Sequence, residues 1–437
     1  METGERQIGL FSATMLVAGN MIGSGIFMMP TTMASIGGIA SLGWLVAVPG
    51  AFVIGYVFAR LAQNRPLPGG PYAYAREGLG DFAGFQCNLL YWFSNVVANI
   101  AIATSITGYL AFFFPVLRQT YFGAASTAAV IWLAALLNIV GPRLVTRFEA
   151  ITTLLGVGPI ALIGVAGWYF FDPQVFHAGW NPADRGWSQA VSSAFSIMFW
   201  AFMGVECASV AAGVVKDPER NVPRATLLGV LIAALVYVLS TTAIMGIIPN
   251  EELRHSTAPF ADATMRAIGP VGAALMSICA IMKAAGCLGG WTLTNAQAAL
   301  AAAQDGLFPA AFCKLNGRGV PALGLVLVSI LMTGVLLVTL SPEIGSAFTV
   351  LADISVLLVL TPYIFAAVAV SHYVRTGVLR RSVIWAAILT VVYCLTVVAV
   401  SAGTAVAVSM LLGLSTAPLF GAMIAGRGRR LRLNPAE

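Results

Sequence analysis

The sequence predicts an all-α integral membrane protein with twelve transmembrane helices, and three observations lead there. Of 437 residues, 59% are Ala, Val, Ile, Leu, Met, Phe, Trp, Tyr or Cys, and only 9% are Asp, Glu, Lys or Arg. A soluble domain carries about 25% charged residues, so this chain cannot cover a water-facing surface. The mean hydropathy of +0.89 points the same way, and it excludes a soluble enzyme and an intrinsically disordered chain alike. The apolar runs are also long and continuous, whereas a membrane β-barrel alternates polarity over segments of about 10 residues.

Crossing the hydrocarbon core takes about 20 apolar residues. Cutting the chain at polar, Pro-rich or Gly-rich breaks gives twelve segments: 9–34, 40–62, 81–113, 124–141, 150–171, 189–214, 226–249, 265–302, 320–340, 347–371, 383–402 and 404–425. Only Arg6 precedes the first of them and no clean small-residue cleavage site follows, so it reads as a retained span and not as a signal peptide.

An even number of spans puts both termini on one side. That side holds eighteen of the 23 Lys and Arg residues, including Arg60, Arg65, Arg76, Arg375, Arg380 and Arg381. The other side holds four (Arg118, Arg185, Arg254 and Arg266), and Lys283 lies within a span. This bias predicts cytoplasmic termini and a basic cytoplasmic tail over 426–437. The net charge of +6 is then a matter of topology, and no nucleic acid is needed to explain it.

Cofactor and metal chemistry find no support. The six cysteines show no CxxC spacing and read as buried thiols. The three histidines form no HExxH, and none of Lys216, Lys283 and Lys314 follows a Gly, so there is no GK[ST] phosphate loop.

Two spans are interrupted. The first contains Asn20-Met21-Ile22-Gly23-Ser24-Gly25-Ile26-Phe27. Its glycines fit either close helix packing or an unwound segment whose freed N–H groups face an anionic group. The sixth runs Trp200-Ala201-Phe202-Met203-Gly204-Val205-Glu206-Cys207, with a Gly beside an ionisable Glu. Broken helices in corresponding positions of two halves point to a transporter site near the bilayer midplane. Breaks five spans apart fit a five-plus-five inverted repeat, over 9–171 and 189–371, followed by two extra helices over 383–425.

Of forty charged residues, three sit well inside the expected spans: Glu206, Lys283 and Asp353. A charge at the bilayer centre costs about 2.5–3.5 kcal/mol, which makes function the default reading of Glu206: gate, coupling group or substrate contact. Lys283 and Asp353 form a candidate charge pair, either structural, part of an external gate, or directly involved in recognising the charge of the substrate. Tyr91, Trp92, Trp200, Trp291 and Tyr363 read either as packing or as gates and stacking faces for a cation.

These residues carry a resemblance. Gly23-Ser24-Gly25, Pro68-Gly69-Gly70-Pro71-Tyr72-Ala73-Tyr74, Trp200 to Glu206 and Asp217-Pro218-Glu219-Arg220-Asn221-Val222-Pro223 resemble the amino acid–polyamine–organocation (APC) superfamily. Within it the chain is most similar to the basic amino acid/polyamine antiporters, especially those of the arginine/agmatine type. That closer likeness rests on Leu137 to Pro142, Gly204 to Lys216, Ser240 to Gly246 and Gly289-Gly290-Trp291-Thr292.

The resemblance implies a single transporter domain over 1–437 with the leucine-transporter-like inverted repeat. It also implies alternating access, commonly as a homodimer, here in a bacterial inner membrane. Ser24 and Gly25 would hold the substrate carboxylate, and carbonyls around Met21, Trp200 and Met203 would take the α-amino group. Asn99, Trp291 and Ser355 would meet the distal cationic group, with Ser94 and Asn95 nearby. Tyr91, Trp200, Glu206 and Tyr363 match gating positions. Ser94 and Asn95 stand where the arginine/agmatine pattern has Ala and Cys, and Lys283 and Asp353 also depart from it. An unpaired Lys283 would repel a cationic substrate unless Asp353 neutralises it.

The expected function is therefore exchange of a basic amino acid for its decarboxylated amine, of the arginine/agmatine type. Ornithine/putrescine or lysine/cadaverine exchange and proton-coupled symport are the alternatives. Symporters of this superfamily can carry a Lys in span five, and residues 150–171 have none.

Overall fold

The computed structural model describes residues 9–23, 25–65, 69–210, 215–340, 344–401 and 404–433. The first half comprises α1 (Leu10–Met21), α2 (Gly25–Ala34), α3 (Trp44–Asn64), α4 (Pro71–Leu79), α5 (Asp81–Phe113), α6 (Thr120–Val140) and α7 (Pro142–Ala166). After α8 (Pro173–Ala178) come α9 (Trp187–Trp200), α10 (Cys207–Val210), α11 (Pro218–Ile247), α12 (Asn250–Leu253) and α13 (Pro259–Ile268). The chain closes with α14 (Pro270–Gln304), α15 (Ala322–Val338), α16 (Ile344–Arg375), α17 (Val383–Val400) and α18 (Thr404–Leu433).

Among the described residues, nine helices are long and apolar enough to cross a membrane. Ala322–Val338 and Ala405–Gly421 are apolar but shorter. The sixth expected segment is interrupted, because α9 stops at Trp200 and residues 201–206 form turns before α10. The fifth starts earlier than expected. Pro142 occupies the first helical position of α7, where its missing N–H costs nothing and its fixed φ suits the helix, so Glu149 lies inside the helix.

Burial separates centre from periphery. The most apolar stretch of α5 is 83% buried and that of α16 is 72% buried, against 28% for Arg147–Phe170 and for α17. A helix apolar on all sides belongs in an interior, and α5 and α16 form that interior. Leu133, Leu154, Val338 and Trp385 are among many large apolar side chains left exposed on the outer helices. An apolar surface of that extent suits lipid and not water.

α2 is held at one end of the bundle by hydrogen bonds. Thr31 Oγ1 donates to Ser256 O (3.0 Å), Asn250 Nδ2 to Ala34 O (2.8 Å) and Tyr109 Oη to Phe27 O (3.1 Å). At the other end, α4 is fixed by Tyr72 Oη donating to Asp305 (2.6 Å), by the Arg76–Asp305 ion pair (2.6 Å) and by Arg65–Glu77 (2.9 Å).

Candidate substrate site at two helix breaks

α1 ends because its glycines let the backbone leave the helix. Ile22 N–H still closes on Ala18 O (2.7 Å), but Gly23 N–H turns to Met21 O (2.7 Å). Met21 O also accepts from Tyr237 Oη (3.0 Å) on α11. Lys283 Nζ on α14 donates to Gly19 O (2.9 Å).

The second break follows α9. Gly204 has φ +103°, a left-handed conformation that an L side chain resists. The backbone satisfies itself by tight turns: Met203 N–H to Trp200 O (3.2 Å), Val205 N–H to Phe202 O (3.3 Å) and Cys207 N–H to Gly204 O (3.0 Å). These turns aim Glu206 between α5 and α16. Its Oε1 accepts from Tyr91 Oη (2.9 Å) and its Oε2 from Tyr363 Oη (2.5 Å), and Glu206 is 1% exposed. A buried carboxylate needs such donors. Phe58 and Phe199 pack on the Tyr363 ring, at 5.3 and 6.0 Å between centroids.

A small cavity of about 30 Å³ lies between the breaks, bounded by Asn20, Met21 and Gly25 on one side and by Trp200, Met203 and Trp291 on another. Asn95 and Cys287 complete its polar lining. Gly25 lies so close to Trp200 that a Cβ there would sit 2.4 Å from the indole Cδ1 and Nε1. Asn95 and Asn99 are a helical turn apart on α5, both fully buried, and their amides make no hydrogen bond of ordinary geometry. Unpaired buried amides are costly, and Asn95 faces the cavity with donors and acceptors to spare.

The sequence profile of the family described as "Amino acid permease" matches residues 8–421. The chain belongs to that family. The chain is 36% identical over 394 residues to the cadaverine/lysine antiporter of Escherichia coli (strain K12), covering 89% of this chain and 88% of that one. It is also 36% identical over 372 residues to the putrescine transporter PotE of Haemophilus influenzae, covering 85% of each. The permease is thus a member of the basic amino acid/polyamine antiporters within the APC superfamily.

The permease gathers most of the residues singled out above. Met21, Gly25, Asn95, Trp200, Met203 and Trp291 line the cavity, and Tyr91, Glu206 and Tyr363 form one clasp. Ser24 lies outside the described residues. Ser94 and Ser355 are engaged with each other, each hydroxyl donating to the other's carbonyl (2.8 and 2.9 Å), and neither lines the cavity. Asn99, one turn along α5, is fully buried and does not line it either.

The charge pair expected between Lys283 and Asp353 does not form. Lys283 points to Gly19 O, and its acidic neighbour is Glu149 on α7, which it reaches electrostatically without a direct ion pair. Asp353, on α16, makes no ion pair with a described cation. A fifth segment beginning at 150 leaves Glu149 just outside the expected spans, whereas α7 includes it. The spacing of Glu149, Thr152 and Gly156 (i, i+3, i+7) marks one helical face and was the available signal.

Proposed function

We propose that the permease exchanges a basic amino acid for its decarboxylated amine by alternating access. Lysine/cadaverine is the first pair to test, ornithine/putrescine the second and arginine/agmatine the third. The observation that carries this reading is the cavity between the two helix breaks, with Glu206 clasped beside it by Tyr91 and Tyr363. Both partners of such an exchange share a cationic end, suited to the Trp200 and Trp291 faces and the Asn95 amide. They differ only in a carboxylate, which the N-terminal end of α2 at Gly25 would meet.

The order of pairs rests on the relatives, named for cadaverine, lysine and putrescine. The same reading takes the chain as twelve spans, in a leucine-transporter-like five-plus-five repeat with two extra helices. It places the chain in a bacterial inner membrane with both termini cytoplasmic, as a homodimer.

The test is labelled lysine uptake into proteoliposomes preloaded with lysine, cadaverine, ornithine, putrescine, arginine, agmatine or buffer. Uptake that requires internal lysine or cadaverine supports the first pair. A requirement for ornithine and putrescine, or for arginine and agmatine, keeps the mechanism and changes the substrate. Uptake into empty vesicles driven by an imposed proton gradient overturns exchange in favour of symport.

A further inference from the structure

The C-terminal end of a helix collects carbonyls without helical donors and the negative end of the helix dipole. In transporters with broken helices such ends hold the coupling cation. At the end of α1 one carbonyl stands out. A continued helix would give Gly19 O the N–H of Gly23, but that N–H has turned to Met21 O (2.7 Å). Gly19 O instead accepts from Lys283 Nζ at 2.9 Å, and Lys283 is 0% exposed.

The lysine reaches Gly19 through a seam built for it. A Cβ on Gly156 of α7 would lie 2.4 Å from Lys283 Cβ and 3.1 Å from its Cδ. One turn away Thr152 Oγ1 fills the space over Gly286, and Glu149 lies over Gly290, its Oε2 2.5 Å from where a Cβ would stand. Glu149, Thr152 and Gly156 on α7 thus face Gly290, Gly286 and Lys283 on α14 in antiparallel order. The seam carries one cation and one carboxylate, and a buried ammonium needs such a counter-charge.

We propose that Lys283 is a cation built into the chain. Its ammonium occupies a monovalent-cation site formed by Gly19 O and the α7–α14 seam, with Glu149 as counter-charge. Exchange then needs no free metal cation, and removal of the side chain opens the site to one. Lys283 is a positioning residue: it fixes the end of α1 and does not touch the cavity. Only the transport readout below rests on the proposed exchange; the binding readout does not.

The experiment compares the full-length wild type with Lys283→Ala in choline chloride and in sodium, potassium or methylammonium chloride at equal ionic strength. Two quantities are read, the thermal unfolding midpoint in detergent and the exchange rate in proteoliposomes. The wild type should show the same midpoint in all four salts. Lys283→Ala should lose about tenfold or more of its exchange in choline. One of the three small cations should raise its midpoint saturably and restore exchange. Adding Glu149→Gln should abolish that response.

The proposal is overturned if Lys283→Ala exchanges at the wild-type rate in choline, if no cation shifts its midpoint, or if rescue survives Glu149→Gln. Should Lys283→Ala not fold, Lys283→Ser carries the same test, and failure of both to fold in every salt also overturns it. A wild type that exchanges none of the offered substrates overturns the transport reading instead and leaves the midpoint comparison to decide this one.

Discussion

At the first helix break the backbone is satisfied from outside; at the second it satisfies itself. Gly19 O and Met21 O take donors from Lys283 and Tyr237, on α14 and α11. Residues 201–206 close their own tight turns; Phe202 packs against Trp44 and Tyr237, and the one charged side chain the segment presents is Glu206, held by α5 and α16. The first break is therefore tied to the bundle at several backbone points. The second has one charged tie, the Glu206 carboxylate, so a point substitution should act most sharply there.

Glu206→Ala is the strongest test of that difference. It removes the acceptor of two buried phenols, and hydrogen bonds to a charged group are worth about 1.5–3 kcal/mol each. Exchange should fall about 100-fold or more, measured as initial rate at equal reconstituted protein. Glu206→Gln keeps one carbonyl acceptor for one phenol and should fall between that variant and the wild type. Wild-type exchange by Glu206→Ala would remove the contrast altogether.

Gly25→Ala tests the facing side of the cavity. The new Cβ, 2.4 Å from Trp200 Cδ1 and Nε1, must displace the indole, and overpacking costs about 1–3 kcal/mol. We expect KM to rise about tenfold with a smaller change in maximal rate, because the ring moves within the cavity lining while the Glu206 clasp stays intact. An unchanged KM would mean that Trp200 does not meet the substrate.

Both breaks left a mark in the sequence: closely spaced glycines in the first span fit unwinding or close packing alike, whereas a Gly beside a Glu in the sixth is costly unless the backbone departs from the helix. Glu206 stood out for the same reason; the family resemblance names Tyr91 and Tyr363 only as gating positions, and that both phenols donate to Glu206 follows from the fold. The partner of Lys283 was not legible by the same logic. Pairing the two opposite charges left inside the spans chose Asp353, whereas the side chain bonds to a backbone carbonyl, which no residue type advertises. Nor does composition reveal that Ser94 and Ser355 are engaged with each other, since that depends on how α5 and α16 approach.

Tyr237→Phe probes the first break at one of its several ties. It deletes the donor to Met21 O, a neutral hydrogen bond worth about 0.5–1.5 kcal/mol, while Gly23 N–H still reaches that carbonyl. Exchange should drop only about fivefold. A loss as large as that of Glu206→Ala would show that the first break also hangs on one interaction.

The smallest effect is expected away from both breaks, at the α4 clamp. Arg76 and Asp305 pair at 2.6 Å with side chains 35% and 38% exposed, and pairs that open to solvent contribute about 0–1 kcal/mol. Tyr72→Phe removes the neighbouring hydrogen bond to Asp305, again about 1 kcal/mol. Exchange by Tyr72→Phe should stay within about threefold of wild type. Burial, and then Asp305, hold the Tyr72 phenol above its ordinary value. A raised value in the folded state means that its contribution is fully present below the unfolded value of about 10 and lost only as pH rises beyond it. The difference in unfolding midpoint between wild type and Tyr72→Phe should accordingly be the same at every pH from about 6 to 9. A difference that vanishes as pH rises within that range would mean that the phenol ionises there and that Asp305 is not its acceptor.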